Sequence, residues 1–108
     1  MPITGGVKMK LQAAFLFLVG DADGNTCTVV STPSIDLHVI GCRNYDDAVT
    51  TAKNCVAKGI TAIELCAGFG NIGVARISEA VGADVAVGAV KFDFHPGLSF
   101  KSGDVFFN

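Results

Sequence analysis

The stretch from Ile60 to Gly73, ITAIELCAGFGNIG, constrains the fold of this chain more than any other part of the sequence. It begins as an apolar strand, passes through a turn rich in glycine and continues as the start of a helix. The turn places Gly68, Gly70 and Gly73 in the spacing G-x-G-x-x-G, which is typical of a backbone that enters a helix directly after a strand. Such a unit belongs to a β–α–β crossover, so it predicts an α/β fold with parallel strands.

Apolar periodicity places the other elements around this turn. Residues 13–19 form a near-continuous apolar run, typical of a strand that is covered on both faces. Residues 35–40 alternate between apolar and polar, and helical spacing follows over 45–58 and 71–81. The other predicted strands are 28–31, 61–66 and 85–92. The order β-β-β-α-β-α-β predicts a mainly parallel sheet of 4–5 strands with an antiparallel edge and two right-handed crossover helices.

The composition limits the classes of partner. Charged residues make up 17% of the 108 residues, below the average of about 25%, so we expect a homo-oligomer, most simply a homodimer. The net charge of −2 and the lack of a basic run argue against nucleic acid. No polybasic or amphipathic stretch indicates a membrane surface. We expect an N-terminal tail over residues 1–10 and a single α/β domain over residues 11–108.

The cysteines indicate a reducing compartment. No C-x-x-C motif occurs among them, so the sequence predicts neither a zinc site nor a redox motif. Each lies in apolar surroundings, where a free cysteine packs as a small core residue. We therefore expect a cytoplasmic protein with reduced thiols. The cysteines are Cys27, Cys42, Cys55 and Cys66.

Polar residues follow the predicted parallel strands at their carboxyl ends. In open α/β sheets, ligands bind at the edge that these ends share. The glycine turn adds backbone amides at the positive end of a helix dipole, which favours an anion. The sequence therefore predicts a small anionic metabolite at the turn 68–73, with His95 nearby. The expected ligand-binding residues are Gly68, Phe69, Gly70, Asn71, Arg43 and Asp93. The alternative is that the glycines serve only the geometry of the turn.

Two residues make an enzyme an alternative. Glu64 falls within a predicted covered strand, where a carboxylate needs a partner such as Arg76 or Lys91 or else partial exposure, or acts as a general base beneath a pocket. His95 follows a strand end and is the other candidate base. Either Glu64 or His95 could act in a small isomerase or lyase, and Cys66 with His95 could form a thiolate pair. The sequence alone does not decide whether the protein is an enzyme.

Other assignments compete for the same residues. Asp93 stands twenty positions after Gly73, so the turn also fits half of a dinucleotide-binding domain. Asp93 and His95 are two metal-ligand types, which is too few for a site, and we expect no metal; the sequence indicates no particular cofactor. A structural homo-oligomer without a ligand is the last alternative, with the tail phenylalanines between subunits. Those are Phe100, Phe106 and Phe107.

The motifs ELCAGFG, at 64–70, and KFDFHPGLSFKSGD, at 91–104, resemble a family of small uncharacterised prokaryotic domains. The resemblance extends from the AAFLFL strand to the final K-S-G-D, which is nearly the whole chain. It implies one intact domain, and because the family carries no established activity it names no substrate. The similar positions are Glu64, Leu65, Cys66, Gly68, Phe69, Gly70, Asp93, His95, Pro96 and Gly97.

Overall fold

The computed structural model describes residues 10–92 and 94–108, and the backbone of 3–4 and 7–8. Two short strands, β1 (Ile3–Thr4) and β2 (Val7–Lys8), pair antiparallel. The central sheet has five strands in the order β4-β5-β3-β6-β7. Its strands are β3 (Leu11–Leu18), β4 (Cys27–Ser31), β5 (Ile35–Cys42), β6 (Ala62–Leu65) and β7 (Ala86–Ala89). Only β4 runs antiparallel to its neighbour, which confirms the predicted mainly parallel sheet with a mixed edge.

The helices are α1 (Tyr45–Ala57), α2 (Asn71–Val81) and the short α3 (Gly103–Phe107), with a 3₁₀ turn over Pro96–Leu98. The predicted order of strands and crossover helices is confirmed. No helix in the part of the chain that the structure describes has the length and apolarity to cross a bilayer.

Local sequence signals set the limits of the first crossover helix. The side chain of Asn44 accepts a hydrogen bond from the backbone N–H of Asp47 at 2.9 Å, as expected of an N-cap. Gly59 follows the helix with a φ of +91°, a left-handed conformation that glycine adopts without strain. Asp46 in the first turn forms an ion pair with Arg76 of α2, so the two helices are joined by charge as well as by packing.

Both crossover helices lie on the same face of the sheet. The crossovers from β5 to β6 and from β6 to β7 proceed in one direction across the sheet, and right-handed crossovers in one direction place their helices on one side. The core forms between that face and the helices, with Leu16 and Leu65 of the sheet packed against Ala52 and Ile77. The continuous apolar run at 13–19 predicted cover on both faces, whereas among the described residues only one face belongs to the core.

This arrangement leaves Glu64 exposed, which is one of the alternatives that the sequence left open. The residue lies on β6 but projects from the face opposite the helices, while its neighbours Ile63 and Leu65 are buried. It therefore does not carry the cost of a buried charge, and Arg76, one of its expected partners, binds Asp46 instead. The prediction for Cys27 is corrected, because it lies exposed on the edge strand β4 and not in the core.

A polar network on the helix side of the sheet joins the beginnings of β3 and β5. Asp36 accepts hydrogen bonds from Gln12 at 2.8 Å and Ser31 at 2.6 Å, and it forms an ion pair with Lys10 at 2.8 Å. The Lys10 ammonium, followed by the Ser31 and Gln12 donors, holds the pKa of Asp36 far below its usual range. His38 bonds to Gln12 on the neighbouring strand at 3.0 Å.

Candidate functional site

A hollow of about 250 Å³ opens at the carboxyl edge of the parallel strands. It lies where β3 and β6 end, beneath the segment that follows β7. Its apolar walls come from Leu18, Val19, Leu98 and Phe107, and its polar side chains from Cys66 and His95. This is the edge at which the sequence predicted a ligand, because parallel strands deliver their carboxyl ends to one side of the sheet.

The loop that carries His95 is closed by its own backbone. His95 and Lys101 form an antiparallel bridge, and the His95 carbonyl accepts the N–H of Phe100 at 2.9 Å. Ser99 and Phe100 are both left-handed, with φ of 56° and 59°, which non-glycine residues adopt only where the surrounding structure demands it. The ring of Phe92 meets the imidazole edge-on at 5.6 Å. These contacts restrain His95, which lines the hollow.

The hydrogen bonding of His95 determines which ring nitrogen can donate. Its Nδ1 accepts the backbone N–H of Gly97 at 3.0 Å, so the neutral ring carries its proton on Nε2. The imidazole is thus a donor through Nε2. Cys66 is also oriented within the hollow, since its Sγ accepts the N–H of Gly68 at 3.3 Å.

The amides of the glycine turn have a partner within the chain. Tyr45 accepts the N–H of Gly70 at 2.9 Å and donates its own hydroxyl proton to Oδ1 of Asp104 at 2.7 Å. The same carboxylate accepts the N–H groups of Ile72 at 3.2 Å and Gly73 at 3.3 Å. The positive end of α2 therefore already holds an anion, which is the side chain of Asp104.

The glycine spacing suits this internal anion closely. A Cβ at Gly70 would overlap the carboxylate of Asp104, and a Cβ at Gly73 would lie 2.5 Å from the Tyr45 ring. These overlaps support the alternative that the glycines serve the geometry of the turn, because side chains at these positions would leave no room for Tyr45 and Asp104. A dinucleotide would need the same amides for its pyrophosphate, so this arrangement does not favour that alternative.

The expected ligand-binding residues are distributed over different places. Gly68 lines the hollow beside His95. Phe69 is 1% exposed and stacks on Tyr45 with ring centroids 5.7 Å apart, so it belongs to the core. Asn71 is the exposed first residue of α2. Asp93 lies outside the residues that the structure describes.

Arg43 lies at a second and larger hollow of about 550 Å³, between α1 and the segment 22–27. Its backbone N–H donates to Asp47 at 2.9 Å, and its Nε lies 3.5 Å from the same carboxylate. Asp23, on the opposite wall, binds the backbone N–H of Asn25 and the hydroxyl of Thr26. Arg43, Asp47 and Asp23 are thus engaged with one another or with their own loop. Arg43 and Glu64 do not line the hollow beside His95.

Sequence reasoning missed Tyr45 and Asp104. The signals available were weak: the only tyrosine of the chain at the start of an apolar helix face, and Ser102 two residues before an acid. Ser102 caps α3 by accepting the N–H of Asp104 at 3.1 Å, which is a local pattern, but nothing local connects Asp104 to α2. Among the described residues no group of three or more His, Cys, Asp or Glu side chains could hold a metal ion.

Comparison with known proteins identifies one family. Residues 11–105 match the sequence model of a family of unknown function, DUF6506, in agreement with the resemblance carried by the motifs at 64–70 and 91–104. No curated protein matches the chain, and no solved structure matches it.

Proposed function

The chain belongs to DUF6506, a family of unknown function, and we propose that it binds a small anionic metabolite in the hollow beside His95. The observation that supports this most is the position of a fixed imidazole donor at the carboxyl edge of the sheet. Ligands of open α/β sheets bind at this edge, outside the strand ends. The cytoplasmic location and the homo-oligomeric state are likewise proposals, based on composition.

The contacts to the anion differ from those that the glycine turn suggested. The amides of Ile72 and Gly73 donate to Asp104, so the ligand's negative group would meet Nε2–H of His95 and not the start of α2. A charge-assisted bond of this kind is about twice as strong as a neutral one. Gly68 contributes backbone to the wall of the same hollow.

Size and lining narrow the ligand class. A volume of about 250 Å³ corresponds to roughly eight water molecules at about 30 Å³ each, which suits a small acid and not a dinucleotide. Leu18, Leu98 and Phe107 line one side, where a short apolar group would replace poorly bound water. We therefore favour a small carboxylate with a short apolar chain.

The enzyme alternative retains one of its two bases. His95 lines the hollow, whereas Glu64 projects from the open face of the sheet, so the geometry does not support a site that uses both. An isomerase or lyase would have to rely on His95 alone, or on His95 with Cys66, which lines the same hollow. The binding role needs neither proton transfer nor a covalent step and explains the same residues.

A thermal-shift experiment tests the binding proposal. The probes are acetate, butyrate and inorganic phosphate, each at concentrations up to about 100 times the weakest Kd to be detected. At that concentration a bound ligand raises the free energy of unfolding by about 2.7 kcal/mol. For a chain of this size that corresponds to a rise in Tm of roughly 10 °C or more. Butyrate should stabilise more than acetate, because only butyrate reaches the apolar wall.

The two histidines provide a matched control. His95→Ala should abolish the shift, whereas His38→Ala should retain it, since His38 lies in the middle of β5, bonds to Gln12 and does not line the hollow. If no probe raises the Tm, or if His95→Ala responds as the native chain does, the binding proposal is wrong. The structural alternative without a ligand would then be favoured.

A further inference from the structure

The side of the sheet turned away from α1 and α2 carries a second set of large apolar side chains. The register pairs Phe15 with Val39, and Val30 with Leu37, and alternation along each strand places the rest of the set on the same side. None of these residues belongs to the core cluster, and each is at least partly exposed. The set is Leu11, Phe15, Phe17, Leu37, Val39 and Val30.

The part of this face that β3, β4 and β5 form carries no charge. These strands place no acidic or basic residue on this side, as their register shows. Glu64 lies on the same face of β6, beside Phe15 in the register, where it is exposed and borders the apolar strands. A surface that pairs with itself about a two-fold axis must not repel itself, and the part formed by β3, β4 and β5 meets that condition. An apolar centre with a polar border is also the usual anatomy of an interface.

We propose that this open sheet face, defined by Leu11, Phe15, Phe17, Leu37, Val39 and Val30, is the interface of a homodimer, with two copies packed sheet against sheet. Such packing places two sheets about 10 Å apart and buries the facing side chains of both. It explains why residues 13–18 are apolar at every position, although helices cover only one side of β3. This inference does not depend on the ligand proposed for the hollow.

The area available suits a small, weak interface. β3 and β5 each have eight residues, a length of about 26 Å, and β4 has five, a length of about 17 Å. At a strand spacing of about 4.8 Å these three strands measure about 330 Å² in projection, or about 660 Å² for two copies, which is in the range of weak, transient interfaces. Projecting side chains make the accessible area larger than the projected area.

Two adjacent valines on β4 provide a matched test. Val30 is 55% exposed and faces the proposed interface, whereas Val29 is 50% exposed and faces the opposite side. Light scattering after gel filtration should give a mass of about twice the 11.1 kDa chain mass for the native protein. Val30→Glu should raise the Kd of the dimer at least tenfold, because it places a carboxylate against the apolar face of the partner copy. Val29→Glu should leave the Kd unchanged.

A central substitution strengthens the test. Val39→Lys should give a monomer, with circular dichroism as the check that the chain still folds. If this variant does not fold, the comparison of Val30→Glu with Val29→Glu decides the test. A native chain that remains monomeric at a protein concentration of about 100 μM overturns the proposal, because the Kd of the dimer would then lie above about 100 μM. Equal effects of Val29→Glu and Val30→Glu also overturn it.

The exposed phenylalanines of the C-terminal segment offer the competing surface. Phe100 and Phe106 are 67% and 52% exposed. This exposure is what the alternative of a structural homo-oligomer, with the tail phenylalanines between subunits, requires. A dimer that survives Val30→Glu but dissociates on Phe100→Ser with Phe106→Ser would place the interface there, and the sheet-face proposal would be wrong.

Discussion

The phenolic oxygen of Tyr45 lies 2.7 Å from Oδ1 of Asp104, although the two residues are 59 positions apart. The hydroxyl donates to the carboxylate and accepts the N–H of Gly70, so both of its hydrogen-bonding functions are used. One side chain thereby joins α1, the glycine turn and α3. The carboxylate in turn supplies the negative charge that the start of α2 favours.

Replacing Asp104 by Asn should destabilise the protein by about 1–2 kcal/mol, because the amides of Ile72 and Gly73 lose a charged acceptor at the start of a helix. Urea unfolding at pH 7 measures the change in the free energy of unfolding. Asp84→Asn is the control, since Asp84 is an exposed acid in a turn, and its effect should lie within about 0.5 kcal/mol. Equal effects of the two substitutions would contradict the role of Asp104.

A double-mutant cycle should show that Tyr45 and Asp104 act together. Tyr45→Phe removes the hydroxyl and leaves the buried N–H of Gly70 without an acceptor, at a cost of about 1–3 kcal/mol. The coupling energy with Asp104→Ala should be at least about 0.5 kcal/mol, as for residues in one hydrogen-bond network. Strict additivity of the two changes in unfolding free energy would rule out the network.

The titration of Tyr45 can be observed alone, because the chain has one tyrosine and no tryptophan. Burial first, and then donation to the Asp104 carboxylate, raise the pKa of Tyr45 well above its ordinary value. A raised folded pKa means that the contribution to stability is present below the unfolded pKa of about 10 and is lost as the pH rises above it. Phenolate absorbance should therefore be absent from the folded protein near that pH and should appear in urea. Tyrosinate formation in the folded chain near pH 10 would contradict the buried hydroxyl.

Gly103→Ala should detach or displace α3. A Cβ at Gly103 would overlap the carbonyl oxygen of Gly68, and backbone cannot yield as a flexible side chain can, so a loss of about 2 kcal/mol or more is expected. Gly24→Ala is the control, because nothing lies within 4 Å of its added Cβ. Thermal unfolding measures both, and a Gly103→Ala variant as stable as Gly24→Ala would show that α3 is not packed on the turn.

The cysteines should react in a defined order with iodoacetamide. Burial raises the pKa of Cys42 to about 11 and raises that of Cys55, so both are thiols and not thiolates at pH 8. Cys27 is exposed and should be alkylated first, while Cys42 and Cys55 should react only on unfolding. Mass spectrometry of timed digests gives the order, and early labelling of Cys42 would contradict its burial.

The elements with strong local signals were predicted closely. The helix over 71–81 has the predicted bounds, since a glycine turn starts it and Gly82 ends it. The sequence predicted no element for the C-terminal segment, which contains a 3₁₀ turn and α3. A helix of five residues is too short to show apolar periodicity, so no pattern in the sequence could indicate it.

The sequence predicted the place of the candidate site better than it predicted the residues that form it. Parallel topology alone places Gly68 and His95 at one edge, and the structure brings them to one hollow. It separates Arg43, which lines the groove along α1, and it exposes Glu64 on the open face. The carboxyl ends that share this edge belong to four parallel strands. The topology therefore determines the edge, but not which strand ends lie close enough together to contact one ligand.

The sequence by itself determined the succession of strands and helices, the parallel sheet and the edge at which the carboxyl ends of its parallel strands meet, because these follow from short-range periodicity and from the handedness of crossovers. Only the tertiary structure decided which anion the start of α2 holds and which face of the sheet stays open. The first depends on a contact between residues far apart in the chain, and the second on two helices sharing one side. Neither leaves a local pattern in the sequence, because each depends on how the helices and strands pack against one another.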